Sequence, residues 1–475
     1  MSDPLPPPCT DPAGVAAQSA AAMNTRGTLI ATVVGSSLAF IVGSIVNVAL
    51  PRMQAEFGTG PTGAQWIVNA YLLPLGALVL IGGALGDRYG RRRIFLTGLA
   101  VFTLACGLCA VAWSFPVLLA GRALEGVGAA MFAPTSLAII ADGFHGKARG
   151  AAIGTWAASG AAAGALAPLI GGLIVDSAGW RWAFGAIIPV AAFAFWQAWR
   201  SVRESRAPSD DRAPLDLRGA GLSGAGLLAT IWALIALPER GATFVVLAAL
   251  CLGLALLAAF VAVEHRLGDR AMMPLALFAR PTFAGLSLLT LFLYAALGGL
   301  LVLLPYTLIS ELDYSATQAG AAILPFPLVL GLLSRTVGGA LADRFGPRAL
   351  LIAGSLMVTV GFALFAAVPP DSVVYWQHLL PPLLVLALGM AASVAPLTTA
   401  VLNSAGARFT GVASGVNNAI SRVAGLTATA LLGLVLIGSA ENLLVGFAAA
   451  AWVGVALALA SAAAAVFMVG DDAAE

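Results

Sequence analysis

Apolar residues in this chain do not alternate with polar ones. They come in runs of roughly twenty or more, separated by short polar clusters, and about twenty is the length a helix needs to cross a bilayer core. Runs near 28–50, 63–86, 94–113, 116–141, 149–175 and 181–199 predict six spans. A polar break follows, Arg200 to Leu217, then two further runs near 218–237 and 242–263 and a short basic linker. Six more runs, near 282–309, 316–341, 349–368, 376–402, 409–437 and 443–468, complete a pattern of about fourteen spans. An even count places both termini on one side.

Composition agrees. With 475 residues, 60% hydrophobic and 10% charged, the chain cannot cover itself with an ordinary soluble surface, where about a quarter of residues are charged. Its solvent is lipid, so backbone polar groups must be satisfied inside each helix. The net charge of +2 offers nothing to a polyanion. The run Arg91 to Arg93 reads as a solvated loop, so no nucleic-acid partner is expected. Cys106 and Cys109 spell C-x-x-C but sit inside an apolar run without aqueous access, so neither a redox role nor a metal or other cofactor is expected. The first 25 residues are proline-rich with two acids and lack the basic start of a cleavable signal. Residues 1–27 are therefore expected as a disordered tail, with a second short tail at 469–475.

Placing the termini in the cytoplasm puts about 18 of the 24 Lys and Arg residues in cytoplasmic segments, as the positive-inside rule requires. Trp180, Trp182, Tyr375 and Trp376 mark interfaces. The segment Gly82 to Arg92, GGALGDRYGRR, returns at Gly338 to Arg348 as GGALADRFGPR, eight of eleven positions identical at an offset of 256 residues. Such a match at equivalent points implies two homologous halves. The expected organisation is a six-helix bundle at 28–200, a linker with two extra helices at 201–281, and a second bundle at 282–468.

The repeated segment resembles the signature loop of the major facilitator superfamily, with Gly83, Asp87, Arg88, Gly90, Arg91 and Arg92 in the first copy and Gly339, Asp343, Arg344, Gly346 and Arg348 in the second. VNVALP at Val46 to Pro51, Gln65, Trp66 and Tyr71, the WRW of Trp180 to Trp182, and GVASGVNN at Gly411 to Asn418 are similar to the fourteen-span drug:proton antiporter branch. The resemblance implies an all-α polytopic membrane protein of major facilitator fold, two six-helix bundles plus two extra central helices. It also implies that the loop is a cytoplasmic latch for the outward-open state. Pro347 interrupts the second copy.

Arg122 lies roughly 9 Å into the fourth run at 1.5 Å per residue, where a charge must face protein or water. Arg122, Gly126, Gly128 and Ala130 resemble a family motif whose arginine is implicated in proton transfer, with Glu125 at its glutamine position. Residues three apart share a helical face, so Glu125 can pair with Arg122. Two readings stand: a static buried ion pair, or a carboxylate whose proton affinity depends on where Arg122 is engaged. Related antiporters have an aspartate where this chain has Val42, so either Glu125 has taken over coupling or coupling is weak or missing. Gly154, Pro168, Gly171 and Gly172 match an exporter motif in the fifth run, with Ala163 and Ala167 replacing two glycines. Arg335 is expected to snorkel to water. Asn47, Tyr71, Glu125, Tyr294, Asn417 and Arg422 are candidate cavity-facing groups.

These readings lead to a secondary active exporter of amphipathic small molecules, coupled to protons and working by alternating access in the plasma (bacterial inner) membrane, with a monomer as the expected state. A metabolite or lipid exporter without clear proton coupling is the alternative on the same scaffold. A non-transporting membrane sensor or enzyme finds no nucleophile constellation or soluble domain to support it.

Overall fold

A computed structural model of the chain describes residues 12–206, 216–268, 271–406, 409–437 and 443–470. The helices of the first half are α1 (Pro12–Phe57), α2 (Pro61–Tyr89), α3 (Arg91–Ala110), α4 (Phe115–Gly143), α5 (Gly146–Ala178), α6 (Trp180–Gly185) and α7 (Ile187–Ser201). The inserted pair is α8 (Leu217–Arg240) and α9 (Phe244–Leu267). The second half contains α10 (Pro281–Ser310), α11 (Ala316–Ile323), α12 (Pro325–Phe345), α13 (Pro347–Ala366), α14 (Leu380–Ala405), α15 (Thr410–Ile437) and α16 (Leu443–Met468). No strand occurs among the described residues. Thirteen described stretches are long and apolar enough to cross a membrane, and the count of about fourteen rests on α15, a helix of 28 residues outside that set.

Three elements depart from the run-based expectation. α1 starts at Pro12 and continues past Pro51 to Phe57, so residues 12–27 extend the first span as helix, while residues 1–11 lie outside the described residues. The sixth run breaks between α6 and α7, where Pro189 has no N–H to give the Gly185 carbonyl. The run 316–341 breaks at Leu324, because Pro325 likewise has none for Ala321.

The sequence repeat is also a repeat of packing. α1 packs on α5 and α7, α2 on α4, and α3 on α4 and α7; in the second half α10 packs on α15 and α16, α12 on α14, and α13 on α14 and α16. Gly90 and Gly346, equivalent in the two repeated turns, both adopt positive φ, 117° and 80°. Each donates its N–H back to the preceding helix, to Gly86 and Ala342, and glycine adopts this geometry without a Cβ penalty. Arg92 donates to the Trp199 carbonyl at the end of α7, and its equivalent Arg348 donates to Val466 near the end of α16.

Both turns lie on one face of the bundle. Arg348 ties the second turn to the end of α16, Gly470 N–H reaches Thr282 at the start of α10, and Arg280 bonds Ser404 at the end of α14. From there Gly406 leads toward α15, whose Gly415 packs against Leu80 near the end of α2. We call this the turn face and the opposite one the far face.

The halves meet along α2 with α15 and along α5 with α11. α8 lies across the α2–α15 seam, with Ile231 and Ile235 packed among Leu426, Ala430, Trp66, Leu72 and Leu73. α9 packs mainly on α8 and is largely exposed, as a lipid-facing helix would be.

Gly98 on α3 and Gly128 on α4 bring two backbones together: a methyl on either would sit 2.8 or 2.7 Å from the carbonyl oxygen of the other. Gly354 and Gly389 form the same reciprocal contact between α13 and α14, 2.7 Å each way, and Gly354 is Gly98 displaced by 256 residues. Small residues set helix spacing in membranes because there is no hydrophobic force to do so. Gly98→Val and Gly354→Val are therefore each expected to destabilise the protein by about 1–3 kcal/mol. The check is a lowered midpoint of thermal unfolding in detergent, against an unchanged midpoint for Gly107→Ala, where nothing lies within 4 Å.

Candidate functional site: a buried ion pair beside a pocket between the halves

The sequence spacing of Arg122 and Glu125 becomes a contact one turn along α4. Arg122 Nη1 lies 2.5 Å from Glu125 Oε2, with the side chains 1% and 0% exposed. Arg122 Nε donates to the Ile67 carbonyl at 3.1 Å, and the guanidinium stacks 4.6 Å from the Tyr71 ring centroid, with Phe184 of α6 at 6.0 Å. The thiols of Cys106 and Cys109 on α3 lie against the Glu125 carboxylate, whose Oε1 has no regular hydrogen-bond partner. Each charge neutralises the other. Removing one partner of such a pair costs about 3–5 kcal/mol, because the survivor stays buried and unpaired.

The pocket lies apart from this pair. Phe40 of α1, Tyr294 of α10, Thr398 and Val401 of α14, and Asn417 and Arg422 of α15 line a space of ≈ 280 Å³ between the halves. Asn417 is oriented by Thr290, whose hydroxyl donates to Asn417 Oδ1 at 2.8 Å. The Arg422 guanidinium lies 5.8 Å from the Phe40 ring centroid. Most of the pocket's lining comes from the turn-side halves of α14 and α15.

Of the cavity candidates, Tyr294, Asn417 and Arg422 therefore line the pocket, whereas Asn47, Tyr71 and Glu125 do not. Asn47 bridges the halves instead, donating to the Leu301 carbonyl of α10 at 3.1 Å. Tyr71 is buried and donates to Ala39 at 3.0 Å. Its ring lies under Arg122, and its phenol is close enough to both Arg122 and Arg422 to feel their charges. Tyr71 thus touches the ion pair directly and senses the pocket's Arg422 through its charge.

At the far face α5 seals against α11. A methyl at Gly172 would meet the Ala316 carbonyl, one at Gly320 the Pro168 carbonyl, and one at Gly171 the side chain of Ile45. Gly154, in the same motif, has open space around it and is exposed. Asp176 completes the seal. Its Oδ2 accepts from the Thr317 N–H at 2.8 Å and hydroxyl at 2.7 Å, and its Oδ1 accepts from Ala316 N–H at 3.3 Å and from Arg52 at 2.8 Å. A carboxylate from the first half thus caps the N-terminus of a helix in the second, where the dipole favours negative charge.

At the turn face, Arg91 pairs with Asp87 at 2.9 Å and reaches Asp142 of α4 at 3.6 Å. Glu204 accepts from the backbone N–H groups of Arg92 and Arg93 at 3.1 and 3.2 Å, capping α3. Arg88 is exposed beside the Tyr89 ring. In the second copy Pro347 stands where Arg91 would pair, and Arg344 lies over Phe345. The side-chain surroundings of Gly339, Asp343 and Arg335 lie outside the described residues. Asp176 and Glu204 carry no motif in the sequence, because most of their partners are backbone N–H groups more than a hundred residues away; for Asp176 the available signal is an acid at the end of an otherwise apolar run.

The family model of the Major Facilitator Superfamily matches residues 32–429. The chain belongs to the major facilitator superfamily. Within it, the chain is 34% identical over 413 residues to the "Puromycin resistance protein pur8" of Streptomyces alboniger, covering 86% of this chain and 82% of the relative. It is also 34% identical over 421 residues to the "Multidrug resistance protein Stp" of Mycobacterium tuberculosis (strain CDC 1551 / Oshkosh), covering 86% and 75%. A solved structure of peptide transporter POT in complex with sulfate superposes with a TM-score of 0.71 at 16% identity, covering 94% of this chain and 96% of that one. At that identity the likeness shows the superfamily fold alone.

The α5–α11 seal leads to a specific expectation. Hydrogen bonds to a charged group contribute about 1.5–3 kcal/mol, so Asp176→Ala should raise far-face opening roughly tenfold to a hundredfold. The check is the rate at which a membrane-impermeant maleimide labels Ala316→Cys, a buried position whose backbone N–H to Asp176 is kept, in a Cys251→Ser background with and without Asp176→Ala; it should rise by that factor.

Proposed function

We propose that this chain is a secondary active exporter of amphipathic small molecules that exchanges substrate for protons by alternating access. The observation that carries the reading is the Arg122–Glu125 pair, buried in the first half, with Arg122 stacked on Tyr71, whose phenol also feels the charge of Arg422 in the pocket between the halves. When Glu125 is ionised, Arg122 is held at the pair. When Glu125 takes a proton, the guanidinium loses its counter-charge and its best partners become the Tyr71 ring and groups toward the pocket. Proton affinity and pocket geometry are then linked through one side chain, as coupling requires.

The printed names of the relatives, puromycin resistance and multidrug resistance, support efflux. The pocket supports an amphipathic substrate, with Phe40 and Val401 offering apolar surface, Tyr294 and Asn417 hydrogen bonds, and Arg422 one positive charge. The basic residues gathered at the turn face support a cytoplasmic turn face in the plasma (bacterial inner) membrane with both termini inside. The described conformation, sealed at α5–α11 with its pocket lined mainly from the turn-side halves of α14 and α15, then corresponds to the inward-facing state. A monomer suffices for this mechanism, because the pocket lies within one chain.

The test is flux in proteoliposomes with a panel of cationic and neutral dyes, with and without an imposed pH gradient. Glu125→Gln is expected to lose gradient-driven flux by roughly tenfold or more, about 1.4 kcal/mol of coupling, while substrate counterflow, which needs no proton, continues and shows the variant is folded. Unchanged gradient-driven flux would remove Glu125 from the mechanism.

A further inference from the structure

The inserted hairpin carries chemistry of its own. Asp216 caps α8, its Oδ1 accepting from Gly219 N–H at 2.8 Å. Glu264, in the last turn of α9, accepts from Met273 N–H through Oε2 at 2.6 Å. The two carboxyl groups are 8% and 0% exposed. Their remaining oxygens, Asp216 Oδ2 and Glu264 Oε1, have no hydrogen-bond donor, yet both converge on the space a methyl would occupy at Gly219. Two acceptors thus face each other in a buried site, with no donor to either among the described residues.

Two buried carboxylates in contact repel strongly unless something positive joins them. Among the described residues, the other charged groups nearby do not supply it. Arg218 on α8 and His265 and Arg266 on α9 are exposed. On α2, Asp87 is engaged by Arg91 and Arg88 lies beside Tyr89. Arg280 donates to Ser404, and Arg422 of α15 lines the pocket. Among the described residues, the groups acting on the Glu264 carboxyl are Met273 N–H and Asp216.

We propose that Asp216 and Glu264 share one proton, making the turn-side foot of the α8–α9 hairpin a protonation site separate from Arg122–Glu125. The proton resides on Glu264 and is donated from Oε1 to Asp216 Oδ2. Helix dipoles set this direction: Asp216 sits at an N-terminus, which favours its ionised form, and Glu264 sits at a C-terminus, which favours its neutral form. The shared proton clamps the ends of α8 and α9 together and, through Met273, to the segment that enters α10. Because α8 lies across the α2–α15 seam, loss of that proton at alkaline pH frees the foot of a brace that touches both halves.

The test is infrared spectroscopy of the full-length protein in nanodiscs, titrated across neutral to alkaline pH, with thermal unfolding followed over the same range. The wild type should show a protonated-carboxyl C=O absorption at neutral pH that disappears at alkaline pH, with unfolding temperature falling as it does. Glu264→Gln should lack that absorption, whereas Glu125→Gln should keep it. Asp216→Asn, which retains the helix cap and supplies an amide N–H in place of the proton, should flatten the pH dependence of unfolding and serves if Glu264→Gln does not fold. A wild type without a titrating protonated-carboxyl band, or a Glu264→Gln spectrum that retains it, would overturn the proposal. So would stabilisation of the wild type by added sodium or magnesium that Asp216→Asn abolishes, which would assign the site to a metal cation.

Discussion

Hydrocarbon offers no partner to a polar group, and the rest of this structure follows from that. Backbone N–H and C=O groups can only satisfy one another, so the described spans are helical, and each intramembrane charge needs a partner within the protein. Arg122 finds Glu125 within its own helix. Asp176 finds the open N–H groups of α11 and the side chain of Arg52. Polar residues are few, and some of those at depth, Asn47 and Tyr71 among them, tie one helix to another.

Where charge is absent, spacing is set by glycine. Gly98 with Gly128, and Gly354 with Gly389, fix equivalent helix pairs in the two halves at backbone contact. Gly172 and Gly320 do the same between the halves at the far face. Contacts within a half are duplicated and close, whereas those between halves differ at the two faces. The proposed alternating access requires two bodies that move against each other, and the contacts suit it: tight glycine contacts preserve each bundle, and a small set of polar contacts around Asp176 holds the far face shut. α2, α15 and the α8 brace keep the halves joined on the other side.

Much of this was legible from residue order. Run lengths located most helices within a few residues, and the eleven-residue repeat predicted a duplicated architecture that the packing reproduces. The i, i+3 spacing of Arg122 and Glu125 was enough to pair them. Breaks at Ala186 and Leu324 were hidden inside continuous apolar runs, although Pro189 and Pro325 caused them. Asn47 and Tyr71 were placed with the cavity because periodicity carries no facing information in spans this uniformly apolar; the structure turns one toward Leu301 and the other beneath Arg122. Cys106 and Cys109 read as inert, yet they border Glu125. Asp216 and Glu264 stood at opposite ends of two featureless runs, and only the hairpin brings them together.

The central claim is that closure at α5–α11 and closure at the turn face exclude each other. Its most direct measurement is double electron–electron resonance on two spin-label pairs, Ser177→Cys with Glu311→Cys at the far face and Thr155→Cys with Thr399→Cys at the turn face, with Cys9 and Cys251 replaced by serine. On shifting pH or adding substrate, the account predicts that the far-face distance lengthens as the turn-face distance shortens. Distances that change together, or a far-face distance that never lengthens while transport proceeds, would contradict it.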